Sequence, residues 1–122
     1  MHFDHERLDV YRVAVEFVVW VDELLDRLPV GRRGSAVKQL ERATTSIPLN
    51  IAEGNGKRSR KDRSRYLDIA RGSALESAAC LDVLVARRVL APSDVSNGKN
   101  LLRRIVEMLS KLTASLLGQD AA

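Results

Sequence analysis

The residues of this chain best equipped for chemistry stand close together. Between Lys57 and Arg65 lie Lys57, Arg58, Arg60, Lys61, Arg63 and Arg65 against a single acid, Asp62, for a local net charge of +5. The whole 122-residue chain carries +4, so everything outside this stretch sums to about −1. A local patch can face a partner, whereas a diffuse excess mainly aids solubility. Arginine side chains and helix N-termini both bind phosphate oxygens, so the chemistry on offer is contact with a polyanion. The alternative is a solvated charged turn. Only five aromatic residues exist and only Tyr66 adjoins the cluster, which argues against single-strand recognition by stacking. Binding is expected to be directed at the backbone, weakly sequence-specific and strongly salt-dependent.

Other reactive groups are sparse. Arg42, Ser46, Asn50 and Glu53 are spaced to share one helix face. A lone Glu without a second acid, a His or a metal set has no partner chemistry. These four read as a hydrogen-bond network holding a helix kink, or as a subunit contact. His2 and His5 are three apart, a spacing that could bind metal on a helix. They lie at the chain's start, and no metal site is expected. Cys80 sits among small residues and reads as a buried thiol. With histidines only at positions 2 and 5, no Ser-His-Asp set can be assembled. No Walker-type loop and no CxxC pair is present either. The expectation is a protein that is not an enzyme and uses no cofactor.

Composition agrees with a single globular domain over residues 1–122: 45% apolar and 30% charged residues are ordinary for one. One cysteine cannot form an internal disulfide and suits a reducing compartment. The N-terminal residues do not resemble a signal peptide. The longest apolar run, Phe17 to Val21, falls far short of the roughly 20 residues that span a bilayer. A cytoplasmic protein with no membrane partner is expected.

The elements that must position these groups are helical. Tyr11, Ala14, Val18, Val21, Leu25 and Leu28 step by threes and fours, a seam for packing on other helices. Asp4 is a candidate cap, and Leu28-Pro29 with Gly31 ends the segment. A second stripe, Val10, Val13, Phe17, Trp20 and Leu24, runs beside the first. That exceeds the three positions in seven a bundle helix needs, so Phe17 and Trp20 are expected at a subunit contact. The second segment starts near Ser35 and carries Val37, Leu40, Thr44, Ile47 and Ile51. Pro48 interrupts it at a cost of about 3 kcal/mol, and nearby hydroxyls on Thr44, Thr45 and Ser46 favour a kink. The third segment, about Ser59 to Leu90, is rich in small residues. Gly72 in its middle implies a packing reason, since glycine there costs about 1 kcal/mol. Ser93 or Ser96 is the candidate cap of the fourth, which carries Leu102, Ile105, Leu109, Leu112 and Leu116. Nothing alternates long enough to be a strand. Four long amphipathic helices with short links predict an all-α, up-down-up-down bundle.

Ser46-Ile47-Pro48, Asn50-Ile51-Ala52-Glu53-Gly54 and Gly56 resemble the signature of the four-helix-bundle proteins encoded in intervening sequences of bacterial 23S ribosomal RNA genes. Phe3, Leu8, Tyr11, Leu28-Pro29, Gln39-Leu40, Arg42-Ala43, Ala70, Gly72, Ser73 and Glu76 agree with that family over about residues 3–118. Val30, Gly31, Arg32 and Arg33 depart from it, standing where an acid and an aromatic are usual. The resemblance implies a left-handed bundle and a ring-shaped homopentamer, with no established activity. A more distant likeness is to the accessory protein of diversity-generating retroelements, a pentameric bundle with a basic surface for nucleic acid and a reverse transcriptase.

Two functional readings follow. One is a non-enzymatic oligomer presenting its repeated basic patch to RNA or DNA, or to a nucleic-acid-processing protein. The other is a purely structural oligomer that binds a protein partner.

Overall fold

The computed structural model describes residues 2–29, 31 and 34–118. After a 3-10 turn at Asp4–Arg7 come four helices: α1 (Asp9–Asp26), α2 (Ser35–Asn55), α3 (Arg60–Ala86) and α4 (Pro92–Leu116). Each packs on its neighbour in chain order and α4 closes against α1, with no diagonal contact among the described residues. The result is the all-α four-helix bundle expected from periodicity. Among the described residues there is no strand. Val30, Arg32 and Arg33, part of the unusual first loop, lie outside the described residues.

The wide apolar face of α1 has an explanation within one chain. A helix at the corner of a square bundle touches two neighbours, and each needs its own stripe. Val10, Val13, Ala14, Phe17, Val21, Leu24 and Leu25 are all buried. Phe17 is 0% exposed, so it is a core residue with nothing left to offer a second chain. This corrects the expectation of a subunit contact there. Its burial contributes about 1.5–3 kcal/mol. Trp20 is half-buried and its ring stacks near Phe17 at 5.7 Å. It also covers Gly98 of α4, where a Cβ would overlap the indole ring. The valines that α1 turns outward are Val15 and Val19, 39% and 51% exposed.

Helix starts differ from the expectations in two places. Asp4 does not cap α1. It opens the 3-10 turn, and Leu8 precedes α1 without a side-chain cap bond. Neither Ser93 nor Ser96 caps α4. Ala91 precedes it, Pro92 takes the first helical position where its missing N–H costs nothing, and the Asp94 carboxylate accepts the Ala91 N–H at 2.8 Å.

The interior of α2 runs unbroken through Pro48. None of the three nearby hydroxyls serves the Thr44 carbonyl that Pro48 leaves without its usual donor. Thr45 donates to Glu41 O at 3.0 Å, and Ser46 shares a 2.8 Å hydrogen bond with Ser73 of α3. The buried Thr44 hydroxyl has no partner among the described residues. Along α3, Ala70, Ser73, Ala74 and Ser77 are buried, and these small side chains admit α2 closely. Gly72 is not part of that contact: a Cβ there would meet nothing within 4 Å.

Candidate nucleic-acid interface

The basic cluster occupies the turn from α2 to α3. That turn is shaped by Gly54, where a Cβ would lie 2.9 Å from Tyr66 Cβ and 3.2 Å from Arg63 O. Only a residue without a side chain lets the end of α2 meet the first turns of α3 this closely. Ser59 then caps α3, its hydroxyl accepting the Asp62 N–H at 3.0 Å. Asp62 supplies the acid that a helix N-terminus favours.

The six cations divide into two sets. Lys57, Arg63 and Arg65 are held in place. Lys57 Nζ and the Arg65 guanidinium each sit 4.9 Å from the centroid of the Tyr66 ring, in cation–π range. Lys57 also lies 3.8 Å from Glu53, and Arg63 Nε donates to Lys57 O at 2.6 Å. The side chains of Arg58, Arg60 and Lys61 are exposed and make no hydrogen bond or ion pair among the described residues. They project three uncompensated charges beside a helix start, where cations are disfavoured.

Residues distant in sequence join this end of the bundle. Asp4 accepts a hydrogen bond from Asn55 Nδ2 at 2.9 Å, fastening the 3-10 turn to the end of α2. Phe3 stacks on His5 at 5.9 Å, and His5 meets Tyr11 edge-on at 4.7 Å. Arg63 shares a cleft of about 120 Å³ with Leu8, Asn55, Leu67, Leu112 and Leu116. Nothing in the spacing of Asp4 and Asn55 signals this, because their contact bridges 51 residues.

The signature residues 46–54 split by role. Ile47, Pro48 and Ile51 are buried, and Ala52 is half-buried. Asn50 Nδ2 donates to both Ser46 O and Ser46 Oγ at 2.9 Å, extending the Ser46–Ser73 bond into a small network. Arg42 stands apart from it, pairing with Glu76 of α3 and donating to Gln39. Glu53 turns instead towards Lys57. The four do share one face, lining a single surface groove as their spacing implies, but their bonds do not join into one network.

The remaining candidates are also separated. His2 bonds to Glu6 at 3.0 Å while His5 is taken up by aromatic rings. Among the described residues no group of three or more His, Cys, Asp or Glu is placed to hold a metal ion. Cys80 is buried. Burial pushes its thiol up, Glu76 adds to the shift, and Arg42 opposes it. No helix among the described residues is long and apolar enough to cross a membrane.

Residues 6–111, including the 46–54 signature and the basic turn, match the family described as 23S rRNA-intervening sequence protein. The chain belongs to that family. A similar fold occurs in a protein of unknown function from the S23 ribosomal protein family of Bacteroides thetaiotaomicron, solved at 1.70 Å. It is 26% identical, with a TM-score of 0.78, and the match covers 85% of this chain and 97% of that one. No curated protein matches the chain. Placed on the 23S rRNA-intervening sequence family, Gly54 and its contact with Tyr66 explain why a glycine suits the signature's end: it sets the α2–α3 turn that carries the cations.

Proposed function

We propose that this protein is a non-enzymatic, oligomeric interaction protein of the cytoplasm that binds nucleic acid through the α2–α3 turn. One observation carries the reading: Arg58, Arg60 and Lys61 are exposed and unpaired at a helix start. Such an arrangement costs stability on its own and is relieved by phosphate. The distant likeness to a retroelement accessory protein with a basic surface points the same way.

Self-association, as the homopentamer that the family resemblance implies, is supported by apolar side chains left outside the bundle. Val15 and Val19 on α1 and Ile69, Leu75 and Val83 on α3 are each 39–51% exposed. A ring would repeat the basic turn and multiply its hold on a long polyanion.

The test is a salt titration of binding to labelled RNA and DNA. Wild-type protein is expected to bind with an affinity that falls linearly in log salt. The variant Arg58→Ala/Arg60→Ala/Lys61→Ala should bind weakly and show a shallower slope. Light scattering in parallel reads the assembly. Unchanged binding in the variant, or none by the wild type at about 50 mM salt, would leave the structural oligomer with a protein partner as the reading.

A further inference from the structure

We infer that the basic end selects single-stranded over duplex nucleic acid, with the exposed ring of Phe3 serving as a stacking platform for an unpaired base. The inference rests on the polyanion reading and adds the class of strand.

Sequence alone puts one aromatic, Tyr66, beside the cations. The fold puts three of the five at that end. Asp4 and Asn55 tie the 3-10 turn to the last residue of α2, two positions before Lys57. Phe3, His5 and Tyr11 follow as a continuous set of ring contacts. The other two aromatics, Phe17 and Trp20, pack on the core. Phe3 is 74% exposed, the most exposed large apolar side chain among the described residues. Its ring lies 12° from parallel with that of His5, so one face is backed.

The nearby acids do not stand free. Glu6 Oε2 accepts the Phe3 N–H at 3.1 Å and bonds His2, while Asp4 accepts from Asn55. Asp9, at the start of α1, pairs with Arg12 at 3.3 Å, so each of these carboxylates already has a donor. Beside the turn, Leu8, which follows the 3-10 turn, and Arg63 of the cluster line one cleft with Asn55, so the turn that carries the rings and the α2–α3 turn meet at one end of the bundle. A duplex hides its base faces and offers only phosphate. A single strand offers both phosphate and a free π-face, and this surface matches both.

The experiment is fluorescence anisotropy at low salt with three probes: a thymidine strand of about 15 nucleotides, within the range of compact single-strand sites, its duplex, and an abasic strand of equal length. Wild type is expected to bind the thymidine strand more tightly than either of the others. Phe3→Ala should lose about tenfold or more on the thymidine strand, with duplex and abasic binding unchanged. Phe3→Trp should retain the preference. Phe3 is exposed and its side chain donates no structural hydrogen bond, so circular dichroism of both variants should match wild type. Equal affinity for thymidine and abasic strands, or no effect of Phe3→Ala, overturns the stacking inference while leaving polyanion binding intact. If the triple variant Arg58→Ala/Arg60→Ala/Lys61→Ala binds every probe as wild type does, the underlying reading falls too.

Discussion

Gly54 and Tyr66 approach so closely that a methyl group on Gly54 would sit 2.9 Å from Tyr66 Cβ. The contact links two features that look separate in the sequence. Gly54 ends the α2 signature, and Tyr66 is the ring flanked by Lys57 and Arg65. The same substitution would press on Arg63 O, a backbone atom that cannot swing aside. Gly54→Ala is therefore expected to destabilise the bundle by about 1–3 kcal/mol, the usual cost of overpacking. Urea denaturation measures it. A change under about 0.5 kcal/mol, the scale of a neutral surface substitution, would contradict the steric account.

Gly98 and Gly72 make a matched pair of opposite sign. Gly98 lies beneath the Trp20 ring, whereas a Cβ on Gly72 meets nothing. Gly98→Ala should displace the indole towards water and shift its emission to longer wavelength, with a loss of stability. Gly72→Ala should raise the stability of the isolated chain by up to about 1 kcal/mol, the helix propensity difference. Should Gly72→Ala instead weaken self-association in light scattering, α3 meets a second chain at that position.

Thr44 carries a buried hydroxyl without a partner among the described residues. An unsatisfied buried polar group costs about 1–3 kcal/mol, and replacing it with an apolar group of the same shape removes that cost. Thr44→Val should leave stability unchanged or raise it by about 1 kcal/mol. A clear loss in thermal denaturation would show that the hydroxyl bonds to something in solution.

Cys80 gives the chain a pH dependence on the alkaline side. The folded state holds the thiol proton more tightly than the unfolded chain, because burial and then Glu76 disfavour the thiolate. With the folded value raised, this contribution is intact below the thiol's ordinary value of 9.0 and is lost as pH rises through and beyond it. Stability should fall across that range in the wild type and fall less in Cys80→Ala. Thiol labelling of the native protein should be slow, since the thiolate is the reactive form. Equal alkaline slopes for the two proteins would refute the assignment.

Much of the architecture was legible because helix periodicity is local. Leu40, Ile47 and Ile51, or Leu102, Ile105 and Leu109, show their inward face through spacing alone, and all six are buried. Capping was less legible. Asp4 and Ser93 have suitable side chains, but competing bonds and a proline at the first helical position decided the outcome. The two stripes of α1 are visible in its spacing. Their destination was not legible, because spacing does not say how many neighbours a helix has.

By itself the sequence determined the helices, the family and the concentration of charge between Lys57 and Arg65, since each is a property of residue type and short-range spacing. Tertiary structure alone decided which cations are held and which project, that Phe17 faces inward, and that Phe3, His5 and Tyr11 share an end of the bundle with the cluster. Those outcomes depend on contacts such as Asp4–Asn55 and Gly54–Tyr66. Only packing of the whole chain sets which distant residues share one end.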